Sequence, residues 1–429
     1  MSLQSLLGSD TAPLTARSSY NPTRRVSPAD SVLIPISKVE LAQCQTSANP
    51  LRTRQPGPVL GGAGLAGLPA KPNVPLPPRP DIVVGGGGGG APGGGRKRPL
   101  PQEDEGRRVR GSFDTRAVAQ HYNARPNTNV EARRSSPIFG LKSFNNWIKS
   151  VLIAKHGRRE NDHDKPKIRV LDLGCGKGGD LQKWAKAGTA EYVGIDIASV
   201  SVTQAQDRYD KMRQKNFPAS FFALDCFEAS VEEVLSPSYF DSHPFDVVSM
   251  QFCMHYALET EAKARQMLEN VSRYLKPGGV FLGTIPDATN LFTHLDDAST
   301  AALAAGHDLT VDPTPSLVFG NSVYSVKFDS REWDSFYGHR YTFFLQDAVE
   351  EVPEYVVYWD NFVSLAAEYG LMPVYCADFQ TIFADEQDDP HFAQLLRKMN
   401  VMDEDGNAEM DEDQLDAAML YLGFAFVKQ

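Results

Sequence analysis

The chain has 429 residues, of which 41% are hydrophobic and 23% charged, with five cysteines and a formal net charge of −11. This is ordinary globular usage, long enough for two or three average domains or one large domain with a tail, and the acidity argues against a general nucleic-acid binder. No C-x-x-C pair or Cys/His cluster suggests a zinc site or disulfide framework, and no apolar run of eighteen residues suggests a membrane span.

The opening MSLQSLLGSDTAPL lacks the basic and apolar stretches of a secretory signal, and isolated thiols fit a reducing compartment. Residues 1–110 are expected to be disordered, because this Pro-, Gly-, Ser- and Arg-rich stretch cannot bury enough apolar surface to offset chain entropy. They hold the tract GGGGGG at 85–90 and carry 14 Lys/Arg against 7 Asp/Glu, whereas residues 111–429 carry 29 against 47. Arg96, Lys97 and Arg98, followed by Arg107, Arg108 and Arg110, read as a nuclear-import signal, an RNA tether or a solvated linker.

Periodicity begins near Phe113. Leu141, Phe144, Ile148, Val151 and Leu152 recur at helical spacing, which predicts an amphipathic helix over 140–155 with Asn145 and Lys149 on one face. Phe144, Trp147 and Trp184 read as core. The apolar runs IRVLDLG (168–174), YVGIDI (192–197), FDVVSMQF (245–252) and LKPGGVFLGTI (275–285) predict strands, with FFALDC supplying another strand end. Helical stretches at 179–187, 199–214 and 260–274 separate them. This alternation predicts an α/β fold, a mainly parallel sheet with helices on both faces. Residues 286–330 read as a less regular insertion, 354–371 as a strand or turn entering a helix, and 421–428 as an antiparallel strand closing one sheet edge.

The first strand runs into Asp172-Leu-Gly174-Cys-Gly176-Lys-Gly178-Gly179-Asp180. Its G-x-G-x-x-G spacing alone would suggest a dinucleotide site. Asp172, however, would repel a pyrophosphate and attract a cofactor carrying an ammonium and a sulfonium. Asp196 ends the second strand, where a carboxylate can accept from a ribose diol, and Asp225 follows the third. These residues resemble the class I S-adenosylmethionine-dependent methyltransferases. Cys175 reads as a small loop residue.

Further segments narrow the resemblance: HYN (121–123), RRSSPIFGLKSFNNWIKSVLI (133–153), VLDLGCGKGGDLQKW (170–184), QFCMHYAL (251–258), VPEYVVYW (352–359) and YLGFAFVKQ (421–429). Over roughly 113–429 the chain is similar to the mRNA cap guanine-N7 methyltransferases. The resemblance implies a class I methyltransferase (Rossmann-like) domain over 111–429 that methylates N7 of the GpppN cap with S-adenosylmethionine as donor and no metal. Guanine N7 has an in-plane lone pair and no proton, so the resemblance implies no acid–base or nucleophilic residue, only in-line placement and electrostatics.

It also implies site residues. Lys149 would hold the methionine carboxylate; Asp172 and Gly174 would flank the cofactor; Asp196 would take the ribose and Asp225 the adenine amino group; Gln251 and Tyr256 would complete that pocket. Asn145 and Asn146 would contact the cap nucleotide, Lys177, Lys183 and Arg208 the triphosphate bridge, and His255, Glu354 and Tyr421 the guanine. A carboxylate such as Glu354 can accept from guanine N1–H and the 2-amino group together. The partners implied are 5′-capped mRNA and, through the basic tail, other capping enzymes or RNA polymerase II, in the nucleus and away from membranes.

Overall fold

The computed structural model describes residues 105–125, 135–157, 167–213, 215–236, 244–403 and 405–429. The disorder expected over 1–110 therefore lies outside the described residues, except that helix α1, Glu105–Ala124, already runs through 105–110.

Helix α2, Phe139–His156, carries the expected stripe: Leu141, Phe144, Trp147, Ile148, Val151 and Leu152 are all buried. Each such side chain contributes about 1.5–3 kcal/mol by leaving water. Trp147 also donates its indole N–H to the Phe392 carbonyl at 3.0 Å, which satisfies its polar atom in the core.

The central sheet is built from β1 (Ile168–Leu173), β2 (Thr189–Asp196), β3 (Ala219–Ala223), β4 (Phe245–Gln251), β5 (Leu275–Pro286), β10 (Leu371–Asp378) and β11 (Tyr421–Lys428). Their order is β10-β11-β5-β4-β1-β2-β3. The strands from β5 to β3 pair in parallel, and β11 pairs antiparallel with both β5 and β10. The last strand is thus antiparallel as expected, but it does not close an edge. It lies inside the sheet, and β10 forms the edge. All six residues from Tyr421 to Phe426 are buried, as an interior position requires.

Crossovers are made by α3 (Leu181–Lys186), α4 (Ser199–Asp210) and α5 (Glu261–Tyr274). One sheet face packs Val248, Met250 and Phe281 against Leu268 and Val271 of α5; the other packs Val170 and Val247 against Leu181 and Trp184. Strand order reverses at β1, whose neighbours are β2 and β4. The crevice beyond the carboxyl ends of β1 and β4 is where a sheet of this kind leaves room for a ligand.

The 286–330 segment is more regular than its sequence suggests. Asp287 caps α6 (Ala288–Ala304) by accepting from the Thr289 N–H at 2.9 Å. Beyond it, β6 (Val318–Gly320), β7 (Tyr324–Phe328), β8 (Arg340–Leu345) and β9 (Val349–Tyr355) form a second, antiparallel sheet. Helices α7 (Trp359–Glu368), α8 (Phe379–Glu386), α9 (Pro390–Lys398) and α10 (Glu412–Met419) complete the fold. The second sheet packs Tyr324, Val326, Phe328 and Tyr341 into the core shared with α2. Among the described residues no helix is long and apolar enough to cross a membrane.

Candidate functional site

A cavity of about 350 Å³, within the range of small-molecule sites, opens at the carboxyl ends of β1, β2, β3 and β4. Its floor is the glycine loop after β1. Gly174 has φ +74°, and a Cβ there would stand 2.5 Å from Cys253 Sγ, so this loop can approach the β4 loop only as glycine. Gly176 has φ +52° with nothing among the described residues within 4 Å of where its Cβ would be, leaving bare backbone towards the cavity.

Asp196 braces that loop from the end of β2. Its Oδ2 accepts the Gly176 N–H and its Oδ1 the Ala198 N–H, both at 2.8 Å. Burial pushes its carboxyl up, and those two N–H groups oppose the rise. Each oxygen keeps a further lone pair for a ligand hydroxyl. Asp225 lies on the wall beyond β3, where its Oδ1 accepts the Phe227 N–H at 3.0 Å and burial raises its pKa.

Lys149 reaches the cavity from α2. Its ammonium lies 2.9 Å from Asp180 Oδ1 and 5.9 Å from the centre of the Phe252 ring. Lys183 binds the same Asp180 oxygen at 2.6 Å and donates to Asn146 Oδ1 at 2.9 Å. Burial pushes Asp180 up, but the two ammonium groups outweigh it and hold the carboxyl far below its usual range.

Beyond β4, Gln251 is buried and its Oε1 accepts from the Thr284 hydroxyl at 3.3 Å. Phe252 has φ +60°, unusual for a bulky residue, and its N–H donates to the Thr284 carbonyl at 3.1 Å. The 3₁₀ turn Met254–Glu259 then presents Tyr256 to the cavity. The Tyr256 hydroxyl is 3.3 Å from the Tyr122 hydroxyl on α1 and donates to Glu354 Oε1 at 3.3 Å. Glu354, on β9, is 4% exposed and accepts from the Tyr341 hydroxyl at Oε2, 2.9 Å away.

Of the residues singled out from the sequence, Lys149, Gly174, Lys177, Asp196, Arg208, Asp225, Gln251 and Tyr256 line the cavity. The Lys177 ammonium there donates to the Arg125 carbonyl at 2.9 Å. Asn146 and Lys183 connect to the cavity through Asp180, and Glu354 touches it through Tyr256. His255 Nε2 is 3.4 Å from Glu354 Oε1, poorly aligned, and neither ring nitrogen has a hydrogen-bond partner among the described residues although the side chain is 2% exposed. Asn145 Oδ1 is likewise buried without a partner among the described residues. The Tyr421 ring lies edge-on to Phe252 at 5.0 Å.

Asp172 is placed differently from the sequence expectation. It is 2% exposed, does not line the cavity, and accepts from the Tyr192 hydroxyl at 2.6 Å behind the glycine loop. Burial, reinforced by the charge of Asp180, pushes its carboxyl up to about 7. The carboxylate at the loop itself is Asp180.

Sequence reasoning missed α1 as a wall. Asp114, Thr115, Val118 and Tyr122 all line the cavity. Asp114 accepts from Arg340 Nε at 2.9 Å and the Tyr355 hydroxyl at 2.8 Å, which ties α1 to the second sheet. On the other side, Lys263 donates to Thr115 at 2.5 Å and pairs with Glu259 at 2.7 Å. The one available signal was Tyr122, inside the HYN segment.

Residues 107–429 match the family model described as the mRNA (guanine-N(7))-methyltransferase domain. The chain is 52% identical over 311 residues to the mRNA cap guanine-N(7) methyltransferase of Cryptococcus neoformans var. neoformans, covering 72% of this chain and 47% of that protein. It is 44% identical over 315 residues to the Schizosaccharomyces pombe protein of the same name, covering 73% of this chain and 82% of that one. With mRNA cap guanine-N(7) methyltransferase 1 of Arabidopsis thaliana it shares 39% identity over 329 residues, 73% of this chain and 81% of that protein. The chain thus spans about half the length of the Cryptococcus relatives it matches.

Proposed function

Because the chain belongs to the mRNA (guanine-N(7))-methyltransferase domain family, we propose that it methylates N7 of the guanine in the GpppN cap of mRNA. S-adenosylmethionine is the donor, and m7GpppN-RNA and S-adenosylhomocysteine are the products. The observation that carries the reading is the contact between Tyr256, on the cavity wall, and the buried carboxylate of Glu354 (3.3 Å). It joins a cavity of cofactor size to a group suited to the Watson–Crick edge of guanine.

The cavity residues fit the donor. Gly176 and Gly179 leave space that any Cβ would fill. Lys149 offers a cation for the methionine carboxylate, Asp196 free lone pairs for the ribose diol, and Asp225 an acceptor for the adenine amino group. When bound, S-adenosylmethionine supplies a methyl group already activated on a cationic sulfur. Asp172 acts from behind the loop through Tyr192, without contact.

The guanine side rests on unsatisfied groups. Among the described residues, His255 carries two partnerless buried nitrogens beside Glu354, and Asn145 a partnerless buried oxygen. Such groups are costly to leave unpaired, and a ligand rich in hydrogen-bonding edges would satisfy them. Lys177, Lys183 and Arg208 would take the triphosphate, and Tyr421 would support the base site through Phe252. Guanine N7 has no proton to remove, so the chain's task is to orient two ligands and exclude water. The same reading makes capped mRNA the macromolecular partner and the nucleus the place of action. It leaves contacts with other capping enzymes or RNA polymerase II to the basic N-terminal region.

The test is methyl transfer from labelled S-adenosylmethionine to GpppA-capped RNA, with uncapped triphosphate RNA as control and nucleotides resolved after digestion. Label in m7G from capped RNA alone supports the proposal. Label elsewhere, or none from a protein that binds S-adenosylhomocysteine, removes it.

A further inference from the structure

Both oxygens of Glu354 are held by phenols. Tyr341 donates to Oε2 at 2.9 Å and Tyr256 to Oε1 at 3.3 Å. A carboxylate oxygen has two acceptor positions, so each keeps one for a ligand. The shorter bond is set by the second sheet. Tyr341 on β8 stands directly opposite Glu354 on β9, and Phe328 on β7 stands opposite Tyr341. Side chains opposite one another in an antiparallel ladder share a face. The Phe328 ring stacks on Tyr341 with centroids 5.2 Å apart, and both aromatics are 1% exposed. Three strands thus fix the phenol, and the phenol fixes the carboxylate.

We propose that Tyr341 is a positioning residue for base selection: it holds the plane of the Glu354 carboxylate so that both free acceptor positions meet the N1–H and the 2-amino group of guanine together. The proposal rests on the guanine reading of Glu354 given above. The terminal torsion of a glutamate is broad, so with only the longer Tyr256 bond left the carboxylate can turn about Oε1. A single hydrogen bond tolerates that turn; two parallel bonds do not. Hypoxanthine keeps N1–H and lacks the 2-amino group, so it asks for only one of them. Loss of the Tyr341 hydroxyl should therefore harm a guanine cap more than an inosine cap.

The experiment compares kcat/KM for GpppA-RNA and IpppA-RNA in the full-length protein and in Tyr341→Phe, with S-adenosylhomocysteine affinity by calorimetry as the fold control. The wild type is expected to prefer the guanine cap by about tenfold or more. In Tyr341→Phe, turnover of GpppA-RNA should fall about tenfold, that of IpppA-RNA far less, and the preference should approach unity. Equal losses on both caps, with the preference intact, would mean that Tyr341 only packs, and would overturn the proposal. Tyr341→4-aminophenylalanine keeps the ring and a weaker donor and should show an intermediate preference. Should Tyr341→Phe not bind S-adenosylhomocysteine, a wild-type preference in this second variant overturns the proposal instead. A wild type that treats the two caps alike overturns the guanine reading of Glu354 along with this one, whereas a wild-type preference that survives in the variants overturns this one alone.

Discussion

Lys149, half-buried on the cavity wall, pairs with the buried Asp180 at 2.9 Å, and Lys183 shares the same carboxylate oxygen at 2.6 Å. One negative charge therefore balances two positive ones, which leaves a net cation where a ligand carboxylate or phosphate would arrive. Removing the acid should be more damaging than removing either base. Asp180→Ala leaves two ammonium groups poorly solvated, and a loss of roughly 3 kcal/mol is expected from urea unfolding at pH 7. The folded Asp180 pKa is depressed, so its stabilisation is fully present above the ordinary aspartate value near 4 and disappears as pH falls through the depressed value. The gap between wild type and variant should accordingly close in acid.

Asp172 has the opposite sign. Its folded pKa is raised to about 7, so the folded state holds a proton that the unfolded chain releases near pH 4. Stability from this group is present below pH 4 and is lost as pH rises towards 7. Asp172→Asn keeps an acceptor for the Tyr192 hydroxyl and needs no proton. It should be more stable than wild type at pH 8, by roughly 2–4 kcal/mol, with the difference vanishing near pH 4. Chemical denaturation at the two pH values decides it.

Two neighbouring glycines should respond differently. Gly174→Ala drives a Cβ to 2.5 Å from Cys253 Sγ at φ +74°, so thermal unfolding should drop sharply. Gly176→Ala meets no atom of the described residues within 4 Å and faces the cost of a left-handed alanine, about 1–2 kcal/mol. It should fold yet bind S-adenosylhomocysteine weakly, because the new methyl occupies the ligand's space. Calorimetry beside a melting curve separates the two outcomes.

Glu354→Gln should divide the two ligands. It replaces one acceptor oxygen by a donor, so turnover of capped RNA is expected to fall roughly 100-fold. S-adenosylhomocysteine should bind as before, since Glu354 does not line the cavity. Weakened cofactor binding in this variant would instead make Glu354 part of the cofactor site.

Much of the central sheet could be read from the sequence because its strands are locally marked. The runs ending at Leu173, Asp196 and Gln251 are apolar, as strands covered on both faces must be, and each ends in Gly, Asp or a polar residue. The place of β11 could not be read, because strand order depends on partners in β5 that lie from 135 (Tyr421–Pro286) to 147 (Val427–Val280) positions away. The second sheet was hidden for a different reason. β9 contains Glu350, Glu351 and Pro353, and β6 is three residues long, so neither shows a strand pattern. At the site, residue type and position pointed to Asp196, whereas Lys149 and Glu354 were singled out through the family resemblance alone. Whether a carboxylate faces ligand or core was not legible: Asp172 is turned inward by Tyr192, twenty positions on, and only the pairing of β1 with β2 brings them together.

The position of β11 bears on how the chain is made. A ribosome releases residues in order, yet the strand that joins β5 to β10 follows both of them in the chain. Until residues 421–428 leave the exit tunnel, the nascent chain must carry β5 with an unpaired flank and β10 with no neighbour. Such an edge invites chaperone capture or pairing with another chain. A chain that stops before Tyr421 would bear every glycine-loop residue and still lack the strand that joins β5 to β10, a substrate for protein quality control.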